Sequence, residues 1–207
     1  MEFTAFLLAA LVLALTPGPG LTYVVARTVA GGRAEGLASC AGTALGGLVH
    51  VLAAAFGLSF VIAQSATVFN TIKWLGVLYL VYLGIRMLRA EPAAPTLPSV
   101  PAQGVRRAFR DGAVVEALNV KTALFFLAFL PQFIDPTAPV AAQLLLLGVI
   151  VVTLNTTVDV AAVLATARLI QRGRQTARAR WMQRISGTTM LALAAWIAAA
   201  RRQAGAA

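Results

Sequence analysis

Two polar residues stand one helical turn apart inside a long apolar run. The run covers residues 140–167, and it contains Asn155 and Asp159 four positions apart, so both lie on one face of a helix. A carboxylate inside a membrane span costs about 2.5–3.5 kcal/mol on insertion scales, and we therefore expect it to face a partner or a cavity. Such a group can exchange a proton or bind an ammonium group. Two structural alternatives are a salt bridge, to Lys121 or to an arginine after the run, and a cap-like contact to an exposed amide.

A histidine lies on a face of small residues in an earlier apolar run. Ala38, Gly42, Gly46 and His50 recur every four residues within residues 37–63. At about 1.5 Å per residue the histidine is far from either end of the run, where an ionisable group is seldom without a purpose. A proton-linked role and a hydrogen bond to a backbone carbonyl are both open for it. The two glycines predict close packing against another helix.

The first apolar run, residues 3–26, contains a dense set of helix breakers. Proline lacks an amide hydrogen and glycine frees the backbone, so this segment predicts a break in the first helix. Non-helical backbone at membrane depth is tolerated where it is buried in protein or lines a water-filled cavity, and transporters use such breaks to present backbone groups to a substrate. The alternative is a proline kink that packs against its neighbours. The segment consists of Leu15, Thr16, Pro17, Gly18, Pro19 and Gly20.

A lysine and an asparagine lie near the start of the apolar run 113–134. Lys121 could reach the cytoplasm, could hold a carboxylate together with Asn119, or could steady the broken first helix, and the sequence leaves these alternatives open. Lys73, at the start of the run 70–88, is expected to extend its stem toward water.

The composition is that of a membrane protein. Of 207 residues, 59% are hydrophobic and 12% are charged, which excludes an ordinary soluble domain. The net charge of +10 does not indicate nucleic-acid binding, because the basic residues fall in the joints between apolar runs, as the positive-inside rule expects. A single cysteine, Cys40, excludes an intramolecular disulfide. We also find no residue spacing typical of a metal site or of an enzyme, and we expect no cofactor.

Six apolar runs are long enough to cross a membrane, so the predicted fold is an all-α integral membrane protein with six transmembrane helices, the first of them broken. The arginines fall in the first, third and fifth joints, which predicts that these joints are cytoplasmic and that both termini face outward. The glycine faces allow packing within one chain or between chains, so a homo-oligomer is one of two alternatives. The runs are residues 3–26, 37–63, 70–88, 113–134, 140–167 and 185–200.

A proline-rich linker divides the single domain, residues 1–207, into two sets of three spans. The linker covers residues 89–112, between the halves 3–88 and 113–200. Because each half has an odd number of spans, two similar halves would be inserted in opposite senses, as in the inverted repeats of many transporters. Pro17 and Pro131 lie about equally far into the first and fourth runs.

In its motifs the chain resembles the LysE/RhtB family of bacterial amino-acid exporters, whose founding members export lysine or homoserine and threonine. One departure is Val120, where the family pattern has proline between Asn119 and Lys121; it leaves a continuous helix possible there. The motifs are Thr16-Pro17-Gly18-Pro19, the glycine-rich run that leads to His50, Lys73-Trp74-Leu75-Gly76-Val77-Leu78-Tyr79-Leu80 with Gly84, Asn119 and Lys121, Pro131-Gln132-Phe133, Asp159 and Gly187.

The resemblance implies export of a small amino acid or a related metabolite from the cytoplasm, across the bacterial inner membrane, in exchange for protons. We expect substrate binding at the break, by amides near Gly20, Leu21 and Thr22, and we expect Asp159 to hold the substrate ammonium group. A proton taken up by Asp159 or His50 would drive release. The alternative is a membrane scaffold or sensor that transports nothing. The expected substrate-binding residues are Thr16, Pro17, Gly18, Pro19, Gly20, Asn119, Lys121 and Asn155.

Overall fold

The computed structural model describes residues 2–58, 60, 66–89, 101–135 and 137–171, and this part of the chain is helical and contains no strand. The all-α class is therefore confirmed for these residues. Short turns continue two of the helices, π-helical over Ala53–Leu58 and Phe125–Phe129 and 3-10 over Leu130–Phe133. The helices are α1 (Glu2–Leu15), α2 (Pro19–Leu52), α3 (Ala66–Arg89), α4 (Val105–Ala117), α5 (Val120–Leu124) and α6 (Val140–Gln171).

The first helix is broken where the sequence predicts it. α1 ends at Leu15 and α2 begins at Pro19. Gly18 has an extended backbone, with φ −135° and ψ −174°, and Pro19 takes the first helical position, where a missing amide hydrogen costs no helical bond. The Thr16 amide still donates to carbonyls of α1. The break thus covers residues 16–18.

The long helix α2 reverses its direction at Gly32. This residue has φ 73°, in the left-handed region that favours glycine. Eight residues of straight helix would separate two side chains by about 12 Å. A Cβ placed on Gly36, however, would lie 3.2 Å from Cβ of Thr28. α2 is therefore a helical hairpin with limbs 19–31 and 33–52, and its reversal falls in the predicted first joint.

A second break separates α4 from α5, which meet at a bend of 40°. Asn119 has an extended backbone there and caps α5, since its side-chain oxygen accepts a hydrogen bond of 3.1 Å from the Lys121 amide. A capping side chain satisfies a free amide at a helix start, so a break forms without proline. Val120 stands where the family pattern has proline, which left a continuous helix possible at Asn119. The structure has a break there instead.

The glycine face of the second limb packs directly on α4, as the sequence predicted for a helix partner. A Cβ on Gly46 would lie 2.8 Å from the backbone nitrogen of Ala117, and one on Gly42 would also meet the backbone of α4. α4 begins at Val105, so the end of the predicted linker 89–112 is helical. Residues 90–100 of the linker lie outside the described residues.

An apolar core lies beside the two breaks. Phe6 and Leu13 of α1 are buried together with Phe126 and Phe129 of the π-helical turn and Leu144 of α6. This packing holds α1, the second broken segment and α6 together. The polar residues at both breaks therefore share one neighbourhood.

Within the described part of the chain, two or three segments qualify as membrane spans by length and composition. α3 covers the predicted third run, whereas the predicted sixth run, 185–200, lies outside the described residues, so six spans are not confirmed. The inverted repeats and the orientation of the termini stay predictions. The qualifying segments are Pro19–Leu58, which the reversal at Gly32 divides into two limbs, Val140–Ile170 and, if the bent pair counts as one span, Val105–Ala117 with Val120–Phe133.

Candidate functional site

Lys121 from the second break reaches the helix end at the first break. Its Nζ donates hydrogen bonds to the carbonyl oxygens of Thr16, at 2.7 Å, and of Leu13, at 3.1 Å. The last carbonyls of a helix lack helical partners and carry the negative end of the helix dipole, so a cation is favourable there. Of the three alternatives for Lys121, the structure has the one in which it steadies the broken first helix. Gly18 permits this approach, because a Cβ on it would lie 2.9 Å from Cε of Lys121.

Glu116 makes the opposite contact at the start of α2. A Cβ on Gly20, in the first turn of that helix, would meet its Oε2. The carboxylate accepts hydrogen bonds from Thr122 Oγ1, at 2.7 Å, and from Asn119 Nδ2, at 2.9 Å. A buried anion at a helix N-terminus is stabilised by the positive end of the dipole. Glu116 thus lies beside the backbone that we expected to receive a substrate carboxylate.

Asp159 is buried and faces the second limb of α2. Its Oδ2 lies 2.9 Å from the hydroxyl of Thr43. Among the residues that the structure describes, Asp159 makes neither the salt bridge nor the cap-like contact to a backbone amide that the sequence left open as structural alternatives. The ion pairs there are Arg27–Glu35, Arg107–Asp111 and Arg110–Asp111.

A small cavity lies where these groups meet, and its volume of about 30 Å³ is enough for about two water molecules. Of the predicted site residues, Asn119, Lys121, Asn155 and Asp159 line it. Thr16 to Gly20 and His50 are not among its described lining residues, although Ala14 and Leu21 on either side of the first break are. The polar lining consists of Thr43, Glu116, Asn119, Lys121, Thr122, Asn155, Thr156 and Asp159.

His50 lies beside the second break and not in the cavity. Its Nε2 is 2.8 Å from the backbone oxygen of Glu116. A carbonyl oxygen can only accept, so Nε2 carries the hydrogen and donates it. This is the backbone hydrogen bond that the sequence left open as the structural alternative to a proton-linked role.

The sequence reasoning missed four polar residues of the cavity lining, Glu116, Thr43, Thr122 and Thr156, the last of which bonds the Val152 carbonyl of its own helix. Glu116 lies inside the predicted run 113–134, so an acidic residue within a span was the signal that could have identified it. Thr43 and Thr122 carry no such signal, because threonine is common in membrane helices and its hydroxyl usually bonds the preceding turn. Their roles depend on contacts between different helices.

Comparisons with known proteins find similarity to bacterial membrane proteins, some of which are named efflux proteins. The family model of LysE type translocators matches residues 11–201. The chain is 33% identical over 168 residues to a homoserine/homoserine lactone efflux protein of Salmonella typhimurium, covering 81% of this chain and 80% of that protein. It is 30% identical over 143 residues to a leucine efflux protein of the same species, covering 67% and 66%. An uncharacterized membrane protein of Vibrio cholerae is 34% identical over 153 residues, covering 73% and 74%. No solved structure matches the chain significantly.

Proposed function

This chain belongs to the family of LysE type translocators, and we propose that it exports a small amino acid, or a related metabolite, from the cytoplasm in exchange for protons. The family is one of transporters, which supports a protein that is not an enzyme. The observation that carries the proposal is that an ammonium group and two carboxylates, from Lys121, Glu116 and Asp159, line one cavity at two broken helices. An α-amino acid carries the complementary pair of charges.

In this proposal the substrate carboxylate binds Lys121. An ammonium group has three hydrogens, and the carbonyls of Leu13 and Thr16 account for two of them. Among the described residues the third hydrogen has no partner, so it is available for a carboxylate. We favour this position over the amides at the start of α2, because Glu116 lies against Gly20 and the Thr22 amide donates to the Gly18 carbonyl at 2.9 Å. Thr16 to Gly20 then act by shaping the break.

The substrate ammonium group binds Asp159 in the same proposal. Asn155, one turn away, lines the cavity beside it. A proton that reaches Asp159 from outside neutralises its carboxylate and weakens its attraction for the ammonium group, so release is coupled to proton entry. Glu116 keeps its contacts to Thr122 and Asn119 throughout and fixes the second break.

The cavity of about 30 Å³ is too small for an amino acid. We propose that the structure is a closed arrangement of the exporter, and that substrate enters when α6 and the hairpin α2 move apart. Such movement of one helical unit against another around a central site is the usual basis of alternating access.

The relatives guide the choice of substrates to test. Their names include homoserine and leucine, both of which have uncharged side chains. In this binding mode Lys121 and Asp159 take the two charges of the amino-acid backbone, and Glu116 stays with Thr122 and Asn119, so the described lining has no further charged residue to bind a charged side chain. We therefore propose neutral amino acids as the substrate class, exported across the bacterial inner membrane.

Reconstitution tests the proposal directly. Purified protein in lipid vesicles is loaded with labelled leucine, homoserine, threonine or lysine under an imposed pH gradient. We expect counterflow of at least one neutral amino acid and faster efflux when the acidic side is outside. A membrane scaffold or sensor moves none of the four, and that result would contradict the proposal. Vesicles without protein are the control for leakage.

A further inference from the structure

Thr43 joins two acceptors through one oxygen atom. Its Oγ1 lies 2.9 Å from Asp159 Oδ2 and 3.0 Å from the backbone oxygen of Cys40. A threonine hydroxyl carries a single hydrogen, and the carbonyl can only accept. Both hydrogen bonds are therefore complete at the same time only when Asp159 supplies the second hydrogen, which requires a protonated carboxyl group.

The ionised form of Asp159 requires a different arrangement. Two acceptors then compete for one hydrogen, and a hydrogen bond to an ionised acceptor is about twice as strong as a neutral one. The Thr43 hydroxyl consequently donates to the carboxylate. The Cys40 carbonyl lies inside α2, where it accepts from a backbone amide of the helix, so it loses only the additional hydrogen bond from Thr43.

We propose that Thr43 is a positioning residue for proton exchange at Asp159. Its hydroxyl donates to the ionised carboxylate and accepts from the protonated one, so this side chain keeps one position in both states. The inference rests on the proposed role of Asp159 in proton exchange. Thr43 is 4% exposed, and its Cγ2 lies 3.8 Å from a Cβ placed on Gly20. Thr43 thus projects from the second limb of α2 toward the first limb and α6, and it lines the small cavity.

Other titratable groups lie near Thr43 and Asp159 but do not take part in the hydrogen bond between them. Glu116 from α4 and Lys121 from α5 line the same cavity as Asp159, and the buried thiol of Cys40 lies one turn before Thr43 on α2. The hydrogen bonds that the structure gives to Glu116 and Lys121 go to other partners. Their charges set the field at Asp159, whereas Thr43 makes the hydrogen bond.

Replacing the Thr43 hydroxyl should shift the pH at which Asp159 releases its proton. Thr43→Val keeps the shape of the side chain and removes the hydrogen bond from both states of Asp159. The ionised state loses the stronger bond, so the carboxyl group should release its proton about one pH unit higher than in the unaltered protein. Thr43→Ser keeps a hydroxyl and should titrate like the unaltered protein. Thr28→Val is a matched control, because the buried Thr28 hydroxyl bonds only the Val24 carbonyl among the described residues.

Infrared difference titration of the full chain in lipid vesicles measures this shift without any substrate. The carboxyl band of Asp159 is assigned by its loss in Asp159→Asn. We expect the midpoint of this band to move upward in Thr43→Val, together with a change of band frequency, and to stay unchanged in Thr43→Ser and Thr28→Val. Thr43→Cys, whose thiol is a weak donor, serves if the valine variant does not fold, and its midpoint should move in the same direction.

The outcomes separate this inference from the proposed function. If the unaltered protein moves none of the four labelled amino acids in vesicles, the proposed export function is wrong. The infrared titration would still measure the contact between Thr43 and Asp159. An unchanged midpoint in both Thr43→Val and Thr43→Cys, in protein that exports labelled leucine or homoserine, would show that the inference is wrong. Absence of any Asp159 carboxyl band in the unaltered protein would also overturn it.

Discussion

The ammonium nitrogen of Lys121 lies 2.7 Å from the carbonyl oxygen of Thr16, so the second helix break supplies a cation to the end of α1. The same break supplies the carboxylate of Glu116 to the start of α2, at Gly20. Each charge meets the helix end of complementary sign. The two breaks therefore stabilise each other, and they leave a small polar cavity between them.

Lys121→Met should weaken both the fold and export. The last carbonyls of α1 lose their charged donor, which should lower the free energy of unfolding by about 1–3 kcal/mol, and labelled substrate loses its proposed carboxylate partner. Chemical denaturation in detergent and efflux from vesicles measure the two effects. Arg107→Met is the control, because that side chain is 65% exposed and its removal should change stability by less than about 0.5 kcal/mol. Equal stability and efflux in both variants would contradict the role of Lys121.

Glu116→Gln should destabilise the second break by about 1–3 kcal/mol, because the single amide oxygen can accept from Asn119 or from Thr122 but not from both, and the negative charge at the start of α2 is lost. Adding Asn119→Asp should restore stability, since the carboxylate introduced there could accept from the new amide and from the Lys121 backbone nitrogen. A double-mutant cycle by chemical denaturation measures the coupling, expected above about 1 kcal/mol. Strictly additive effects would show that the Glu116–Asn119 contact is unimportant.

Gly46→Ala should disturb the contact between α2 and α4. The added methyl group would lie 2.8 Å from the backbone nitrogen of Ala117, and backbone cannot move aside as a flexible side chain can. Overpacking of this kind costs about 1–3 kcal/mol. Gly57→Ala is the matched control, because no atom of the described residues, apart from the adjoining residues and the backbone of its own helix, lies within 4 Å of the added group. Thermal unfolding in detergent should separate the two variants, and equal midpoints would contradict the packing.

His50→Gln should keep the pH dependence of export. The glutamine amide can donate to the Glu116 backbone oxygen as Nε2 of the histidine does, but it does not titrate. Efflux rates from vesicles across pH 5 to 8, the range in which histidine usually titrates, measure the profile. Loss of the pH dependence in this variant would make His50 the proton carrier in place of Asp159.

The first break was predictable because its cause is local. Pro17, Gly18 and Pro19 remove or weaken helical bonds wherever the chain places them. The glycines at 42 and 46 were predictable as a packing face for the same reason, since their spacing is a property of one helix.

The second break and half of the site depend on distant contacts. Asn119 starts α5 through a side-chain cap that its residue type alone does not require, and Glu116 obtains its role from Gly20, far away along the chain. Thr43 has the ordinary bond to the preceding turn, and only the position of α6 adds Asp159 to it. Such pairings are set by tertiary packing, which residue spacing along one chain does not encode.

The central claim is that Asp159 exchanges a proton for the substrate ammonium group. Measuring the proton movement that accompanies efflux tests this claim most directly. Vesicles that contain the protein and a pH-sensitive dye are loaded with whichever amino acid of the labelled panel the unaltered protein exports. We predict that efflux acidifies the lumen with the unaltered protein and with Thr28→Val, and that Asp159→Asn abolishes the acidification although equal amounts of folded protein are recovered in the membrane. Undiminished acidification in Asp159→Asn would contradict the claim.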